Sequence, residues 1–316
     1  MAVVKPLPSF DAAEIARAVS MEQAIEALHS GFRDRPVHLE RSSHPVAGGD
    51  LLIMPAADDR TAGIKLLMVQ PANALHGRPV IQGTYVLFDA VGGGPLALLD
   101  GAALSSLRTP AASAIATAVL ARGDARTLGI IGSGPQALAH VDAVRIVRPN
   151  ITEIVLSSRT AVNGRTAAAT VAASLAGTAA TIRTGTHSDA AACDIVCTLT
   201  RSTEPLIDAS MVRRGTHVNA VGSYRTDMRE LAADLVGQST VVVDDEQAAR
   251  AEAGDLTQAV DEGRWSWDRL GGDLADVCTG HVARRSVEEI TVFKSVGLAF
   301  EDLVIARLFA REMNLL

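Results

Sequence analysis

The 316-residue chain is 48% hydrophobic and 21% charged, enough apolar surface for two buried cores and incompatible with a disordered chain. Its formal charge of −7, with no lysine or arginine cluster, leaves no electrostatic footprint for nucleic acid or an anionic membrane, so neither is expected as a partner. No uninterrupted apolar run reaches about 18 residues, and the opening MAVVKPLPSF lacks the apolar core of a signal peptide, which predicts a cytoplasmic protein.

Along the chain, SMEQAIEALHSGF predicts a helix in which Ser20 caps the first turn with Gln23 reaching back, and Ile25, Leu28 and Phe32 share a face. The runs HLERSSHPVAGGDLLIMPAA, GIKLLMVQP and VIQGTYVLFDAVGGGPLALLDG are short, apolar and broken by glycine and proline, a pattern of hairpins in an antiparallel or mixed sheet. SSLRTPAASAIATAVLAR follows, with Thr109 expected as N-cap and Pro110 at the first helical position. From Thr127 onward TLGIIG, PQALAHVDAVRIV and ITEIVLSS alternate strand, helix, strand, and CDIVCTLT, GTHVNAVG and STVVVDD continue the series. This is the α/β pattern of a doubly wound parallel sheet. The closing TVFKSVGLAFEDLVIARLFAREM has helical spacing through Val296, Phe300, Leu303, Val304 and Leu308. A helix there can return to the first region, which divides the chain into 1–119 with 296–316 as one domain and 120–295 as the other. Cys193 and Cys197 lie in one strand-like run and Cys278 far away, with no histidine or third cysteine nearby, so packing rather than a metal is expected of them.

GSGPQA has the form Gly-x-Gly-x-x-Ala between an apolar strand and a helix, the context in which this motif cradles a dinucleotide. Gly132 allows the tight turn, Gly134 lets a pyrophosphate approach the backbone, Pro135 and Gln136 open the helix, and Ala137 permits close helix-to-strand packing. The alternative is a glycine turn in an ordinary strand–helix unit. The next strand ends in Ser158, Arg159 and Thr160, with no acid to bond the adenosine ribose hydroxyls. An arginine there suits a 2′-phosphate, so NADPH is expected over NADH, although NADH stays open.

Three cations stand out ahead of the cradle. Arg41 precedes a hairpin, Lys65 is flanked by Ile64 and Leu66, and Arg108 sits before the expected helix start. A lysine in an apolar run is expected to be partly buried and to call for an anionic partner. Arg108 beside a helix N-terminus makes an anion site by charge and dipole together. Each taken singly also reads as a structural ion pair.

Taken in order, GIKLLMVQP, LLDGAALSSLRTPAASAIAT, LGIIGSGPQALAH, THVNAVGSYRTDMREL and TVFKSVGLAFEDL resemble the ornithine cyclodeaminase/mu-crystallin family over nearly the whole chain from about Arg41. The resemblance implies a homodimer of two-domain subunits: a Rossmann domain and an α+β substrate and dimerisation domain built from both chain ends. It implies that Arg41, Lys65 and Arg108 bind the substrate carboxylate, and that Thr109, Thr198, Leu199, Val221, Ser223 and Lys294 lie near the nicotinamide half of the cofactor. Cyclodeaminases read Gly-Asp after NAVG, whereas Ser223 and Tyr224 stand here, which puts ornithine cyclisation in doubt. GSYRTDMREL resembles the ketimine-reductase and mu-crystallin branch, which generally has proline where Thr226 stands. Asp227 and Glu230 can carry charge into the site, but loop acids usually cap or are solvated, and a catalytic role is not expected of them. The implied activity is NADPH-dependent reduction of Δ1-pyrroline-2-carboxylate or Δ1-piperideine-2-carboxylate. The alternatives are an alanine dehydrogenase, a cyclodeaminase, or a mu-crystallin-like protein that binds NADPH and a small carboxylate without turnover.

Overall fold

The computed structural model describes residues 6–34 and 39–316, so Met1–Lys5, part of the stretch read as lacking a signal peptide, lie outside the described residues. β1 (Ser9–Phe10) leads into α1 (Ala12–Ala18), capped by a reciprocal Asp11/Glu14 pair, and α2 (Met21–Arg33). The Ser20 cap forms as expected: its hydroxyl accepts from the Gln23 amide at 3.2 Å, while the Gln23 side chain accepts from the Ser20 amide at 2.9 Å. Leu28 and Phe32 on its apolar face are buried.

β2 (Ser42–Val46), β3 (Gly49–Ala57), β4 (Thr61–Val69), β5 (Ile81–Asp89) and β6 (Pro95–Asp100) form an antiparallel meander, to which β1 adds in parallel beside β6. Strand parity decides what each face carries. In β4, Thr61, Gly63, Lys65, Leu67 and Val69 are buried while the intervening residues are not, so Lys65 is turned inward with its leucine and valine neighbours.

α3 (Gly101–Leu120) starts earlier than the sequence led us to expect. Asp100 is its cap, accepting from the Ala103 amide at 2.8 Å, and Thr109 and Pro110 lie in the helix interior. Pro110 is buried beside Ala111, Ala112 and Ser113, where packing outweighs a propensity cost of about 3 kcal/mol. Arg108 is therefore mid-helix, and its anion-binding capacity owes nothing to a helix N-terminus.

The remaining strands are β7 (Thr127–Ile131), β8 (Glu153–Ser157), β9 (Thr181–Thr184), β10 (Ile195–Thr198), β11 (His217–Ala220), β12 (Thr240–Val243), β13 (Leu270–Asp273) and β14 (Thr291–Lys294). They pair in parallel throughout, in the order β13-β12-β14-β11-β10-β7-β8-β9. α4 (Pro135–Val147) and α5 (Ala161–Ser174) follow β7 and β8, and Leu128, Ile130, Val141, Ile154, Val171 and Cys197 share their core. Short helices α6 (His187–Ala191), α7 (Ala233–Gln238), α8 (Glu246–Glu252), α9 (Gly254–Asp261) and α10 (Leu274–Thr279) fill the later connections. All three cysteines are buried and unbridged.

The last segment also differs from its helical reading. Thr291–Lys294 is the strand between β11 and β12, and only Ala299–Glu312 forms a helix, α11. The break is built by Asp244, whose Oδ2 accepts from the Ser295 hydroxyl at 3.0 Å and from the amides of Val296 and Gly297 at 2.7 Å each. Gly297 sits at φ +81°, which glycine alone adopts readily.

Two compact units result. Of the described residues, one comprises 6–31, 39–108 and Leu298–Leu316, the other Phe32–Asp34 and Thr109–Gly297. The first is an α+β unit in which α11 packs on β3 and β4, and the second is a Rossmann-type sheet. Among the described residues no helix is long and apolar enough to cross a membrane.

Candidate active site

In the second unit the chain runs from β7 outward through β8 and β9, then returns to lay β10 on the other flank of β7. The carboxyl ends of β7 and β10 thus form a topological switch point, where open α/β sheets bind ligands. Gly132 leaves β7 at φ +134°, and a Cβ there would stand 2.8 Å from the Leu199 carbonyl, so only glycine passes between the two strand ends. Gly134, the N-cap of α4, has no side-chain cap, and a Cβ on it would meet nothing within 4 Å. An open backbone at the positive end of a 13-residue helix suits an anionic pyrophosphate. The residues present therefore fit a dinucleotide.

Pro135 is exposed and Gln136 half-buried at the start of α4. Ser158 is tied to the glycine turn by a 2.9 Å hydroxyl contact with Ser133. Arg159 is exposed, and no described residue bonds its guanidinium. Thr160 caps α5, accepting from the Asn163 amide at 3.3 Å.

Leu199 is anchored at the switch point, its amide donating to the Ile131 carbonyl at 2.8 Å. The side chains of Thr198, Ser223 and Lys294 are turned inward. Thr198 donates to Glu230 at 2.8 Å, Ser223 donates to the Met228 carbonyl at 2.9 Å, and all three residues are fully buried. Lys294 donates to the carbonyls of Ser223 and Ala220 and pairs with Asp255 at 3.0 Å. With its donors engaged inside the unit, it acts on the loop holding Val221 and Ser223. Glu230 is no solvated loop acid: it is 0% exposed, whereas Asp227 is exposed and paired with Arg225.

In the first unit, Lys65 and Arg108 converge on two carboxylates that sequence reasoning did not single out. Lys65 Nζ lies 2.5 Å from Asp302 Oδ2 and donates to the Ser105 hydroxyl at 3.1 Å. The anionic partner expected of a buried lysine is Asp302. Arg108 donates to Glu301 at 3.0 Å, with its Nε 3.7 Å from Asp302 Oδ1. Glu301 and Asp302 begin α11 and are fully buried. Burial pulls the Lys65 ammonium down to about 8, against the attraction of Asp302 and assisted by repulsion from Arg108. Tyr85 pairs with Lys65 across β4 and β5, and burial holds its phenol well above the ordinary tyrosine range. Arg41 stands half-buried before β2, and Thr109 is buried in α3. The one signal in the sequence for Glu301 and Asp302 was adjacent acids at the start of an apolar helical run. That signal usually marks a dipole-matched surface turn.

The glycine turn at the switch point of one unit fits a dinucleotide, the other unit holds a buried lysine–arginine–carboxylate cluster, and the chain's relatives place it among the nicotinamide-dinucleotide-dependent oxidoreductases. Residues 11–314 match the model of the ornithine cyclodeaminase/mu-crystallin family, and the chain belongs to that family. It is 36% identical over 299 residues to a Delta(1)-pyrroline-2-carboxylate reductase of Bacillus cereus, covering 92% of this chain and 91% of that one. An alanine dehydrogenase of Archaeoglobus fulgidus is 32% identical, with 93% and 91% covered. Among solved structures, the Thermococcus litoralis Delta(1)-pyrroline-2-carboxylate reductase in complex with NADH and L-proline superposes at TM-score 0.92 with 31% identity, covering 98% of both chains.

Proposed function

We propose that the protein reduces the C=N bond of a cyclic imine carrying a 2-carboxylate, converting Δ1-pyrroline-2-carboxylate to L-proline or Δ1-piperideine-2-carboxylate to L-pipecolate with NADPH. The observation that carries this reading is Lys65, an ammonium buried on the inward face of β4 and drawn down to about 8 beside Arg108. A lysine in that range holds a proton at neutral pH and releases it readily, as protonation of an imine nitrogen requires. Arg41 and Arg108 take the carboxylate and orient C2. When bound, the reduced nicotinamide supplies the hydride that C2 accepts, and the ring nitrogen keeps the proton. The glycine turn and α4 hold the pyrophosphate, and Arg159 receives a 2′-phosphate. The pyrroline-2-carboxylate reductases among the relatives support the five-membered ring first.

The apolar outward face of the first unit's sheet supports a homodimer. Ile53 pairs with Leu66 and Leu51 with Met68, and Leu66 and Met68 are 38% and 37% exposed. Leu66→Glu is expected to shift the sedimentation coefficient from dimer to monomer. Three unbridged thiols suit the cytoplasm.

The deciding experiment follows NADPH and NADH oxidation with five- and six-membered cyclic imino acids, with pyruvate plus ammonia, and without a substrate. Faster oxidation with pyruvate and ammonia makes the protein an alanine dehydrogenase. Tight carboxylate binding without oxidation makes it a carrier.

A further inference from the structure

Glu230 lies outside every role assigned above, yet it is among the most heavily bonded side chains of the second unit. Its Oε1 accepts from the Thr200 amide at 2.6 Å and the Thr200 hydroxyl at 2.7 Å. Its Oε2 accepts from the Thr198 hydroxyl and the Gly222 amide, both at 2.8 Å. One carboxylate therefore ties the end of β10 to the turn that leaves β11. Gly222 has no room for a side chain, since a Cβ would stand 2.0 Å from the Thr200 carbonyl and 2.6 Å from Glu230 Oε1. Behind Glu230, Asp255 Oδ1 accepts from the amides of Glu230 and Leu231 at 2.6 and 2.9 Å, and Asp255 Oδ2 pairs with Lys294. Lys294 closes the circuit by donating to the Ala220 and Ser223 carbonyls. Burial pushes the Glu230 carboxyl up, which Lys294 and the donors of Thr200 oppose.

We infer that Glu230, backed by Asp255 and Lys294, is a positioning residue that sets the loops after β10 and β11 to receive the nicotinamide half of the dinucleotide. Ligands of open parallel sheets sit outside the carboxyl ends of the strands at the switch point, and the glycine turn after β7 takes the pyrophosphate. The remaining length of a dinucleotide must then run over the ends of β10 and β11, the two ends Glu230 joins. Two of its four donors are backbone amides, which cannot reverse direction, so only an acceptor-only group satisfies all four. This inference rests on the dinucleotide reading of the second unit.

Glu230→Gln replaces one acceptor oxygen by an NH2 group facing a fixed amide and leaves the volume unchanged. The probes are ADP-ribose, which carries the adenosine and pyrophosphate without the nicotinamide, and the whole dinucleotides NADH and NADPH, titrated by calorimetry alongside thermal unfolding. The expected result is an ADP-ribose affinity within twofold of wild type and a loss of at least tenfold for the whole dinucleotides. Equal losses for all probes, or none for any, overturn the inference. Should Glu230→Gln fail to fold, Thr200→Val removes one donor of the four, and a loss of about threefold confined to the whole dinucleotides is expected, with the same overturning outcomes. A wild-type protein that binds neither ADP-ribose nor dinucleotide refutes the underlying reading instead, and the inference with it.

Discussion

Lys65→Met keeps the length and apolar stem of the side chain and removes its charge, leaving Asp302 buried without its nearest cation. In the native protein the two groups lie 2.5 Å apart, both 0% exposed. Deleting one partner of such a pair costs about 3–5 kcal/mol, mostly from the charge left behind. Arg108 Nε, 3.7 Å from the other Asp302 oxygen, offsets part of that and places the expected loss near the lower end, about 3 kcal/mol by urea unfolding. Removing both charges in Lys65→Met/Asp302→Asn leaves no uncompensated ion and is expected to recover most of the loss. Turnover is a separate matter. If Lys65 delivers the proton, both variants lose about 10²–10⁴-fold in imine reduction, whatever their stability. Wild-type kcat/KM for reduction is expected to fall above about pH 8, where the ammonium is lost, and the variants to lack that limb. A double variant that regains turnover together with stability would show Lys65 to be structural and sink the proton-donor role. A single variant as stable as wild type would refute the energetic account of the pair.

Three further expectations rest on other parts of the molecule. Gly134→Ala adds a methyl where nothing lies within 4 Å, so melting is expected to hold while dinucleotide affinity falls at least tenfold; unchanged affinity would remove the cradle from the site. Arg159→Ala is expected to weaken NADPH binding at least tenfold and leave NADH binding within twofold, with equal changes counting against 2′-phosphate recognition. Stability is expected to decline below about pH 6.5: burial pulls His217 down from 6.5 to about 3, so the unfolded chain binds its proton first and stability is lost between those values as pH falls. The slope is at most about 1.4 kcal/mol per pH unit for this residue, and His217→Gln should flatten the acid limb of the unfolding free energy. A limb unchanged in the variant would mean that other groups carry it.

Much of the second unit was legible because its signals are local. A parallel sheet buried on both faces reads as short apolar runs, and a glycine turn between them marks a strand passing into a helix. The site residues were less evenly legible. Lys65 drew notice because a charge in an apolar strand is costly, and the prediction of an anionic partner followed from that cost alone. Glu230 reads as a loop acid that caps or is solvated; it does accept the Thr200 and Gly222 amides, but a glutamate in a polar loop carries no mark of its burial. The start of α3 was misplaced because Thr109-Pro110 imitates a helix opening, and only the packing around Pro110 shows otherwise.

By itself, the order of residues determined the alternation of strand and helix, the glycine turn at Gly132 and Gly134, and the inward parity of Lys65, since each depends on neighbours within a few positions. Tertiary structure alone decided that Asp302 answers Lys65 across 237 positions and that Asp244 breaks the final run into strand and helix. It likewise decided that Glu230 joins two strand ends. Those choices belong to buried charge and buried amides, whose free energy is set by which partners the folded chain brings within hydrogen-bonding distance after water has been excluded.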